Sequence, residues 1–357
     1  MLFLMHLIER NVLKQALIYN LNREEIARLC AELGQPSYRA QQIWRWLYHH
    51  YAENFNAMKN APEQLRGELA GRFSIEPLPA VKEQTEAGAG STSKFLLELP
   101  DKECVEIVFI PAKGKTTLCV SSQAGCKYKC AFCASGQGGF CRNLECGEIV
   151  GEVIFAARRL GGAPAHVVFM GMGEPFDNYD NVLKAVRIIN DGEGLSVGAR
   201  KITISTCGII PGIERLAREG LQVELSVSLH AVDDALRSKL MPVNKIYPLA
   251  NLLAACRHYA DQTKRIVTFE YTLIKGVNDS KEQSEQLARL IKPIHSRVNL
   301  LLLSPVAEFD GATPSPETAK MFIDVLDRAR INATVRVSKG GNINAACGQL
   351  RLVSLKK

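Results

Sequence analysis

The chain has 357 residues, of which 46% are hydrophobic and 23% are charged. This length suits one large α/β domain with a smaller one, and the composition is that of a globular protein with a sizeable core. No apolar run approaches the roughly 20 residues that a membrane-spanning helix needs, so we predict no membrane association and a cytoplasmic location. The net charge is +7, which is basic but modest.

The N-terminal segment MLFLMHLIERNVLKQ is apolar. It lacks the basic leading region and the small-residue cleavage site of a signal peptide, so we predict a buried helix edge there. The chain has eleven cysteines and no secretion signal. An odd number of cysteines in such a chain favours metal binding or redox catalysis over a disulfide framework.

Residues 1 to about 75 are predicted to be helical. The segment NREEIARLCAELG has apolar residues at helical spacing and ends at Gly34. The segment SYRAQQIWRWLYHHY follows, with Ser37 as the predicted cap and with both tryptophans, Trp44 and Trp46. The tryptophans fit an amphipathic helix with a small core, and a nucleic-acid contact surface is the alternative.

The pattern changes to strands beyond residue 93. The runs SKFLLELP and CVEIVFIP, with a turn at residues 100–102, predict a hairpin. From Thr116 onward, six strand-like runs are each followed by a helix-like segment, which indicates a parallel sheet covered by helices and an open or partial barrel. The six runs are TLCVSS, HVVFMGMG, KITIST, VELSVSLH, VTFEYTLI and VNLLLLS. In such folds the chemistry gathers at the carboxyl ends of the strands.

Three cysteines follow the first of these strands. Cys126, Cys130 and Cys133 have the spacing C-x3-C-x2-C in one loop. A structural zinc site would want a fourth ligand, which Cys141 or Cys146 could supply. Iron–sulfur clusters also take thiolate ligands, and three ligands on a four-iron cluster leave one iron open to bind a substrate.

Polar or small residues stand at the ends of three further strands. Gly173 and Glu174 follow the second strand, and Ser205 ends the third. The fourth strand ends in Ser228, Leu229 and His230. A glycine permits close approach of the backbone to a ligand, and a carboxylate can accept a hydrogen bond from an ammonium group. Each of these residues alone fits a helix cap equally well.

The cysteine spacing, Phe132 before the last cysteine and the GEP sequence at 173–175 resemble the radical S-adenosylmethionine superfamily. Longer stretches resemble the RlmN/Cfr family of RNA methyltransferases, among them TLCVSSQAGC, STCGIIPGI, SVSLHA, KLMPVN, GVNDS and AACGQL. The resemblance implies an α/β fold, a partial (β/α)6 barrel with a small helical N-terminal domain. It also implies one [4Fe-4S] cluster on Cys126, Cys130 and Cys133, with an exchangeable site for S-adenosylmethionine.

The resemblance further implies methylation of an adenine in RNA at a ring carbon. That carbon is a poor nucleophile, so two S-adenosylmethionine molecules are used per turnover. One methylates a cysteine, and the second yields a radical that activates this methyl group. Cys347 matches the methyl carrier, Cys119 the cysteine that resolves the adduct through a transient disulfide, and Glu106 the proton acceptor.

Other residues match the cofactor contacts of the family, namely Gly173, Glu174, Ser205, Ser228, Leu229 and His230. The remaining cysteines match no role in the family and are predicted to be structural, namely Cys30, Cys104, Cys141, Cys146, Cys207 and Cys256.

The predicted domains follow the same resemblance. Residues 1–90 form a helical RNA-binding domain and connector, and residues 91–111 a short β extension. Residues 112–342 form the radical core, and residues 343–357 the C-terminal loop with Cys347. The implied partners are RNA and an electron donor such as flavodoxin or ferredoxin, and the chain is expected to be a monomer.

The positive charges are concentrated near Cys347. Seven Lys and Arg residues and no Asp or Glu lie between Arg328 and Lys357, which equals the whole net excess. This stretch is either a solvated surface or the edge of a site that meets phosphate.

The chain departs from the family pattern at two positions. Ser304 stands where an asparagine is usual, and Asn342 stands where an acid is usual, which favours a divergent paralogue. The residues after the three cysteines resemble the RlmN members of the family more than the Cfr members, namely Gln137, Gly139, Phe140 and Arg142 to Leu144. The resemblance implies methylation at C2 of adenine in 23S ribosomal RNA, with tRNA as a second substrate.

Three alternatives stay open from the sequence. The nearest is methylation at C8. The second is a non-catalytic zinc or iron–sulfur protein that binds RNA. The third is a radical enzyme with a small-molecule or peptide substrate, which the basic C-terminal stretch and the helical N-terminal domain disfavour.

Overall fold

The computed structural model of the protein describes residues 15–76, 78–88, 91–336, 339–351 and 353–354. The predicted helix edge at the N-terminus lies outside the described residues except for Gln15, and so do Lys356 and Lys357.

The N-terminal domain consists of three helices and a two-stranded parallel pair. Its strands are β1 (Ala16–Leu17) and β2 (Phe73–Ser74), and its helices are α1 (Arg23–Glu32), α2 (Tyr38–Tyr48) and α3 (Glu63–Arg72). Helix α1 begins at Asn22, whose side chain accepts a hydrogen bond from the Glu25 amide at 2.9 Å. The Glu25 carboxylate accepts one from the Asn22 amide in return, and this reciprocal cap fixes the start of the helix.

Helix α2 is amphipathic, as the sequence predicts. Trp44 is buried in the small core of this domain, whereas Trp46 is half-buried and donates a hydrogen bond to the Asn60 side chain at 2.6 Å. Ser37 occupies the cap position at the start of the helix, as predicted, but its side chain makes no capping hydrogen bond. Both tryptophans therefore contribute mainly to packing within this domain.

Beyond the N-terminal domain, the described chain contains a mixed sheet of eleven strands. An antiparallel part comprises β3 (Ala80–Thr85), β4 (Ser93–Glu98) and β5 (Glu103–Ala112), and β15 (Val353–Ser354) pairs with β5. The parallel part runs in the order β6 (Lys115–Cys119), β9 (His166–Phe169), β10 (Ile202–Thr206), β11 (Glu224–Ser228), β12 (Val267–Leu273), β13 (Ser296–Leu302) and β14 (Ala333–Arg336). A separate hairpin of β7 (Gln123–Gly125) and β8 (Phe140–Asn143) flanks the cysteine loop.

Helices follow the parallel strands as predicted. They are α4 (Ala134–Gln137), α5 (Cys146–Leu160), α6 (Tyr179–Asn190), α7 (Ile210–Leu216), α8 (Asp234–Leu240), α9 (Leu249–Thr263), α10 (Lys281–Ile291) and α11 (Pro316–Arg328). The six predicted strand–helix units are confirmed, and the sheet is an open, partial barrel. Across the described ranges, no helix is long and apolar enough to cross a bilayer.

Two strands differ from the prediction. The parallel sheet continues beyond the sixth strand with β14, which is only four residues long and is not fully buried at any position. The antiparallel part has a third strand, β3, whose sequence AVKEQT is mostly polar and exposed. Both strands lie at an edge of the sheet, where one face need not be apolar, so their sequences lack the usual pattern.

Close packing joins the N-terminal domain to the barrel. The amide of Gly147, at the start of α5, donates to the Asn20 side chain at 2.6 Å, and a Cβ at this position would lie 2.8 Å from that oxygen. The Trp44 indole donates to the Asp191 carboxylate at 3.2 Å. The buried strands of the sheet form the hydrophobic core of the barrel. Strand β12 is an example, since all seven of its residues are buried.

A buried arginine forms hydrogen bonds to the ends of two strands at the carboxyl edge of the sheet. Arg237 on α8 is 0% exposed. Its guanidinium donates to the carbonyls of Cys207 at 2.8 Å, Ser228 at 3.0 Å and Leu229 at 3.2 Å. Burial lowers the pKa of this guanidinium, but the group stays charged because carbonyl dipoles surround it.

Replacement of Arg237 is expected to destabilise the barrel strongly. Arg237→Leu removes the guanidinium donor from the buried carbonyls of Cys207 and Ser228, whereas the Leu229 carbonyl keeps the Ala231 amide. Each orphaned group costs about 1–3 kcal/mol. We expect a fall of about 3 kcal/mol or more in the free energy of unfolding. The measurement is urea denaturation. The control is Arg257→Leu, whose side chain is 61% exposed, and a similar loss in both variants would contradict the account.

Candidate active site

An open cavity of about 1090 Å³ lies at the carboxyl ends of the parallel strands. Most of the predicted site residues line it, namely Cys126, Cys130, Cys133, Gly173, Glu174, Ser205, Ser228, His230, Ser304 and Cys347. The chain segments that carry them are far apart in sequence, and the parallel sheet brings them together at one edge. Leu229 and Glu106 do not line this cavity.

The two ends of the loop that carries Cys126, Cys130 and Cys133 lie close together. Its flanking strands β7 and β8 are antiparallel, and the Cys126 amide donates to the Gly139 carbonyl at 2.7 Å. Gly125 has φ +82°, and a Cβ there would lie 2.1 Å from the Gly139 oxygen. Only glycine fits this close crossing, so the sequence places the three thiols on a tightly closed loop.

The three thiols of this loop face the same cavity. Burial raises the pKa of Cys126 to about 12 and the pKa of Cys130 well above its usual value. Such thiols are protonated without a metal, and a bound cation would deprotonate them. Among the described residues, no three His, Cys, Asp or Glu side chains are placed to hold a single metal ion. Iron–sulfur clusters take thiolate ligands, so the three cysteines that line this cavity fit such a cluster.

Gly173 and Glu174 lie just beyond the carboxyl end of the second parallel strand, β9. Gly173 has φ +97°, and a Cβ there would lie 2.5 Å from the Cβ of Gln123. The Gln123 side chain accepts a hydrogen bond from the Glu174 amide at 2.8 Å. The Glu174 carboxylate accepts from the amides of Phe176 at 3.0 Å and Cys207 at 2.6 Å. Burial raises the pKa of Glu174, and these amides oppose the rise.

His230 is held as a neutral base at the end of β11. Its backbone has φ +56°, and its Nδ1 accepts a hydrogen bond from the Thr272 amide at 2.9 Å. The proton therefore lies on Nε2. Burial, with the positive Arg237 nearby, lowers the pKa of His230 to about 3. The ring packs edge-on against Phe132 of the cysteine loop, with centroids 4.8 Å apart.

A second cavity of about 910 Å³ lies beside the first, and Cys347 and Arg336 line both. Cys119 lines the second cavity. Burial raises the pKa of Cys119 to about 12, the Cys347 thiol adds to the rise, and Arg336 opposes it. Cys347 is exposed to the cavity, yet surrounding protein still raises its pKa to about 11. The predicted pair of reactive cysteines thus shares one space with two cationic side chains, Arg336 and Lys339.

Glu270 and Cys207 line the main cavity, although the sequence analysis assigned neither a role at the site. Glu270 on β12 accepts from Ser226 and Asn299 at 3.1 Å each through one oxygen, and its other oxygen is buried without a partner. Burial raises its pKa. In sequence Glu270 is one polar residue in a buried strand, and only its position at the cavity distinguishes it.

The segment that carries Cys347 is anchored on two sides. Towards the cysteine loop, the Ala134 amide donates to the Gly348 carbonyl at 2.7 Å, and the Ser135 hydroxyl donates to the Leu350 carbonyl at 2.6 Å. Towards the antiparallel strands, Lys94 donates to the Asn344 carbonyl at 3.0 Å. These contacts hold Cys347 beside the three cysteines of the loop.

The basic stretch around Cys347 is partly neutralised. Arg351 forms a bidentate ion pair with Glu308, and Lys339 donates to the Pro111 carbonyl. Arg336 points into the two cavities and contacts the Met170 sulfur at 3.4 Å.

All eleven cysteines lie among the described residues, and none of them forms a disulfide, so the predicted disulfide is not supported. Cys104, Cys30, Cys146 and Cys256 are buried as predicted, whereas Cys141 is exposed.

Comparison with known proteins places the chain first in a class. The sequence model of the radical SAM superfamily matches residues 120–289, and that of the ribosomal RNA large subunit methyltransferase N-terminal domain matches residues 17–75. A radical SAM methyltransferase from Sphaerobacter thermophilus has the same fold, with a TM-score of 0.90 and 46% identity over 94% of this chain and 99% of that chain. This class implies a [4Fe-4S] cluster and S-adenosylmethionine.

The relatives then identify the family. The chain is 48% identical to a probable dual-specificity RNA methyltransferase RlmN from Symbiobacterium thermophilum, over 92% of this chain and 89% of the relative. It is 44% identical to the protein of the same name from Moorella thermoacetica, over 93% and 96% of the two chains. The chain belongs to the RlmN family of radical SAM RNA methyltransferases.

A methyl group at Gly173 is expected to disturb the cofactor end of the cavity. Gly173→Ala pushes Gln123 away and so removes the acceptor that positions Glu174. We expect S-adenosylmethionine to bind about five-fold more weakly, as the loss of one neutral hydrogen bond of about 1 kcal/mol would cause. The measurement is equilibrium dialysis with the labelled cofactor.

The matched control is Gly34→Ala, which has a similar φ of +65° but no atom within 4 Å of the new Cβ. Both variants carry the strain of a left-handed backbone, about 1 kcal/mol or more. Equal affinity in the two variants would show that the contact with Gln123 is unimportant.

Proposed function

We propose that this chain methylates C2 of an adenine in RNA, with Cys347 as the methyl carrier and Cys119 as the resolving cysteine. The observation that carries the proposal is that Cys347 lines both cavities, one with the three cysteines of the loop and one with Cys119. A carrier must reach a methyl donor, a base and a resolving thiol in turn. The relatives named above are described as dual-specificity RNA methyltransferases, which supports ribosomal RNA and tRNA as substrates.

Cys126, Cys130 and Cys133 would hold the cluster, and Gly173, Glu174, Ser205, Ser228, His230 and Ser304 would line the site of S-adenosylmethionine. When bound, the cluster supplies the electron that cleaves the cofactor to a carbon radical, with flavodoxin or ferredoxin as the electron donor that we propose. Three protein ligands leave one iron free for the cofactor. Leu229 does not line this cavity, and its amide and carbonyl already bond to Glu270 and Arg237, so we propose no cofactor contact for it.

Cys347 would act first as a nucleophile. Its thiolate takes a methyl group from one S-adenosylmethionine, and S-adenosylhomocysteine leaves. Because surrounding protein raises the pKa of Cys347 to about 11, Arg336, which opposes this rise, is the group that stabilises the thiolate. The methylated sulfur then carries the carbon that joins the base.

Cys119 would act last. Its thiolate attacks the sulfur of Cys347, and the two cysteines form a disulfide. The bond from that sulfur to the carbon on the base breaks, and the carbon keeps the electron pair and takes up a proton to become the methyl group of the product. A dithiol reductant must restore both thiols before the next turnover.

The test of the proposed function is incubation of the cluster-loaded protein with labelled S-adenosylmethionine, a reductant and ribosomal RNA or tRNA. Mass spectrometry of the digested RNA should show 2-methyladenosine. The absence of label from RNA in a protein with an intact cluster would contradict the proposal. Detection of 8-methyladenosine would instead assign the C8 reaction.

Removal of the carrier thiol is expected to abolish the reaction. Cys347→Ala should give no methylated RNA, while its iron and sulfide content stays near the wild-type value because Cys347 is not one of the three cluster cysteines. Cys30→Ala is the control, since Cys30 is buried in the N-terminal domain. Methylation by Cys347→Ala above background would rule out the carrier role.

Removal of the resolving thiol is expected to stop the reaction at a later stage. Cys119→Ala should accumulate a covalent complex of protein and RNA, since nothing can attack the sulfur of Cys347. Denaturing gel electrophoresis with labelled RNA measures the complex. Normal turnover by Cys119→Ala would mean that another group resolves the adduct.

A further inference from the structure

A buried ion pair lies beside the segment that carries Cys347. Lys94 on β4 and Glu106 on β5 are 2.8 Å apart, and their side chains are 8% and 9% exposed. Lys94 lies opposite Val108 in the antiparallel pairing, so Lys94 and Glu106 are diagonal neighbours on one face of the sheet. Two charges are rarely buried without further hydrogen bonds to satisfy them.

The additional bonds of this pair go to the two flanks of Cys347. The Lys94 ammonium donates to the carbonyl of Asn344, three residues before Cys347, at 3.0 Å. The Glu106 carboxylate accepts from the amide of Arg351, four residues after it, at 2.7 Å. One ion pair therefore holds both ends of the short segment that includes the reactive cysteine.

Both oxygens of Glu106 are occupied by these contacts. One accepts from Lys94 and the other from the Arg351 amide. Glu106 lines neither the main cavity nor the cavity with Cys119. A proton acceptor must come within hydrogen-bond reach of the proton it takes. The residue that the family resemblance implies as proton acceptor is thus turned away from the reacting atoms.

We propose that Lys94 and Glu106 form a clamp that positions Cys347, so that both are positioning residues and Glu106 is not the proton acceptor. The inference rests on the proposed role of Cys347 as methyl carrier. The clamp fixes the segment from the side of the antiparallel strands, while Ala134 and Ser135 fix it from the side of the cysteine loop. Cys347 is held between the two.

The first test is hydrogen–deuterium exchange of the cluster-loaded protein without RNA, read in peptides that cover residues 344–351. Lys94→Met removes the donor to Asn344. Glu106→Gln keeps only one acceptor oxygen for two donors. We expect exchange in this segment to be about ten-fold faster in both variants, as the loss of a hydrogen bond to a charged group predicts.

A matched control separates the clamp from a general effect of losing a lysine charge. Lys320→Met breaks an exposed ion pair with Asp324, in which the side chains are 75% and 53% exposed. Exchange at residues 344–351 should stay at the wild-type rate in this variant. Wild-type exchange in Lys94→Met or Glu106→Gln, or equally fast exchange in Lys320→Met, would overturn the proposal.

The second test compares RNA methylation by the same proteins. A clamp predicts that Lys94→Met and Glu106→Gln lose activity to a similar extent. It also predicts that the double variant Lys94→Met/Glu106→Leu loses no more activity than Lys94→Met alone or Glu106→Leu alone. This double variant also replaces the ion pair with apolar side chains, which protects the fold from an unpaired buried charge.

Full activity in Lys94→Met together with loss of activity in Glu106→Gln would restore Glu106 as the proton acceptor and overturn the clamp. The exchange measurement needs no RNA. If the wild-type protein fails to methylate RNA, the proposed function fails, and the exchange rates still decide whether the clamp exists.

Discussion

The hydrogen bonds between residues 344–351 and the rest of the protein bring the two ends of the barrel domain together. Cys347 lies near the end of the chain and the cysteine loop near the start of the sheet, and the bonds of Ala134 and Ser135 to this segment join them. Gly348 allows the contact, since a Cβ there would lie 3.1 Å from the Phe132 carbonyl. Without this closure the carrier thiol and the cluster ligands would not share a cavity.

Several ionisable groups at this edge of the sheet are buried, and a specific partner stabilises the charge state of each one named here. Arg237 is surrounded by carbonyls, Glu174 by amides, and His230 is held neutral with its pKa near 3. A neutral His230 offers an N–H donor to the cavity without adding charge, at any pH where the protein functions. Glu270 differs, because one of its oxygens has no protein partner, and it is therefore the group at the site most dependent on a ligand.

Much of this arrangement could be predicted from the sequence. The parallel strands are short apolar runs between helical segments, and the spacing of Cys126, Cys130 and Cys133 identifies the cavity that they line. The roles of Cys119 and Cys347 came from the family resemblance, and their shared cavity agrees with it.

Strand β14 and the role of Arg336 could not be predicted, because an edge strand lacks a pattern and a single arginine in a basic stretch does not stand out. The bond between Glu106 and the Arg351 amide joins residues more than 200 positions apart, so the sequence alone could not place it. Of the two departures from the family pattern, Ser304 lines the main cavity, whereas Asn342 is exposed and lines neither cavity.

The account depends on Cys347 as the residue that first receives the methyl group. The most direct measurement is peptide mass spectrometry of the cluster-loaded protein after incubation with S-adenosylmethionine and a reductant, before any RNA is added. The account predicts one methyl group on Cys347 and none on Cys119, because Cys347 lines the main cavity as well as the second one, whereas Cys119 lines only the second. A methyl group on Cys119, or an unmodified Cys347 in a protein that still methylates RNA, would contradict it.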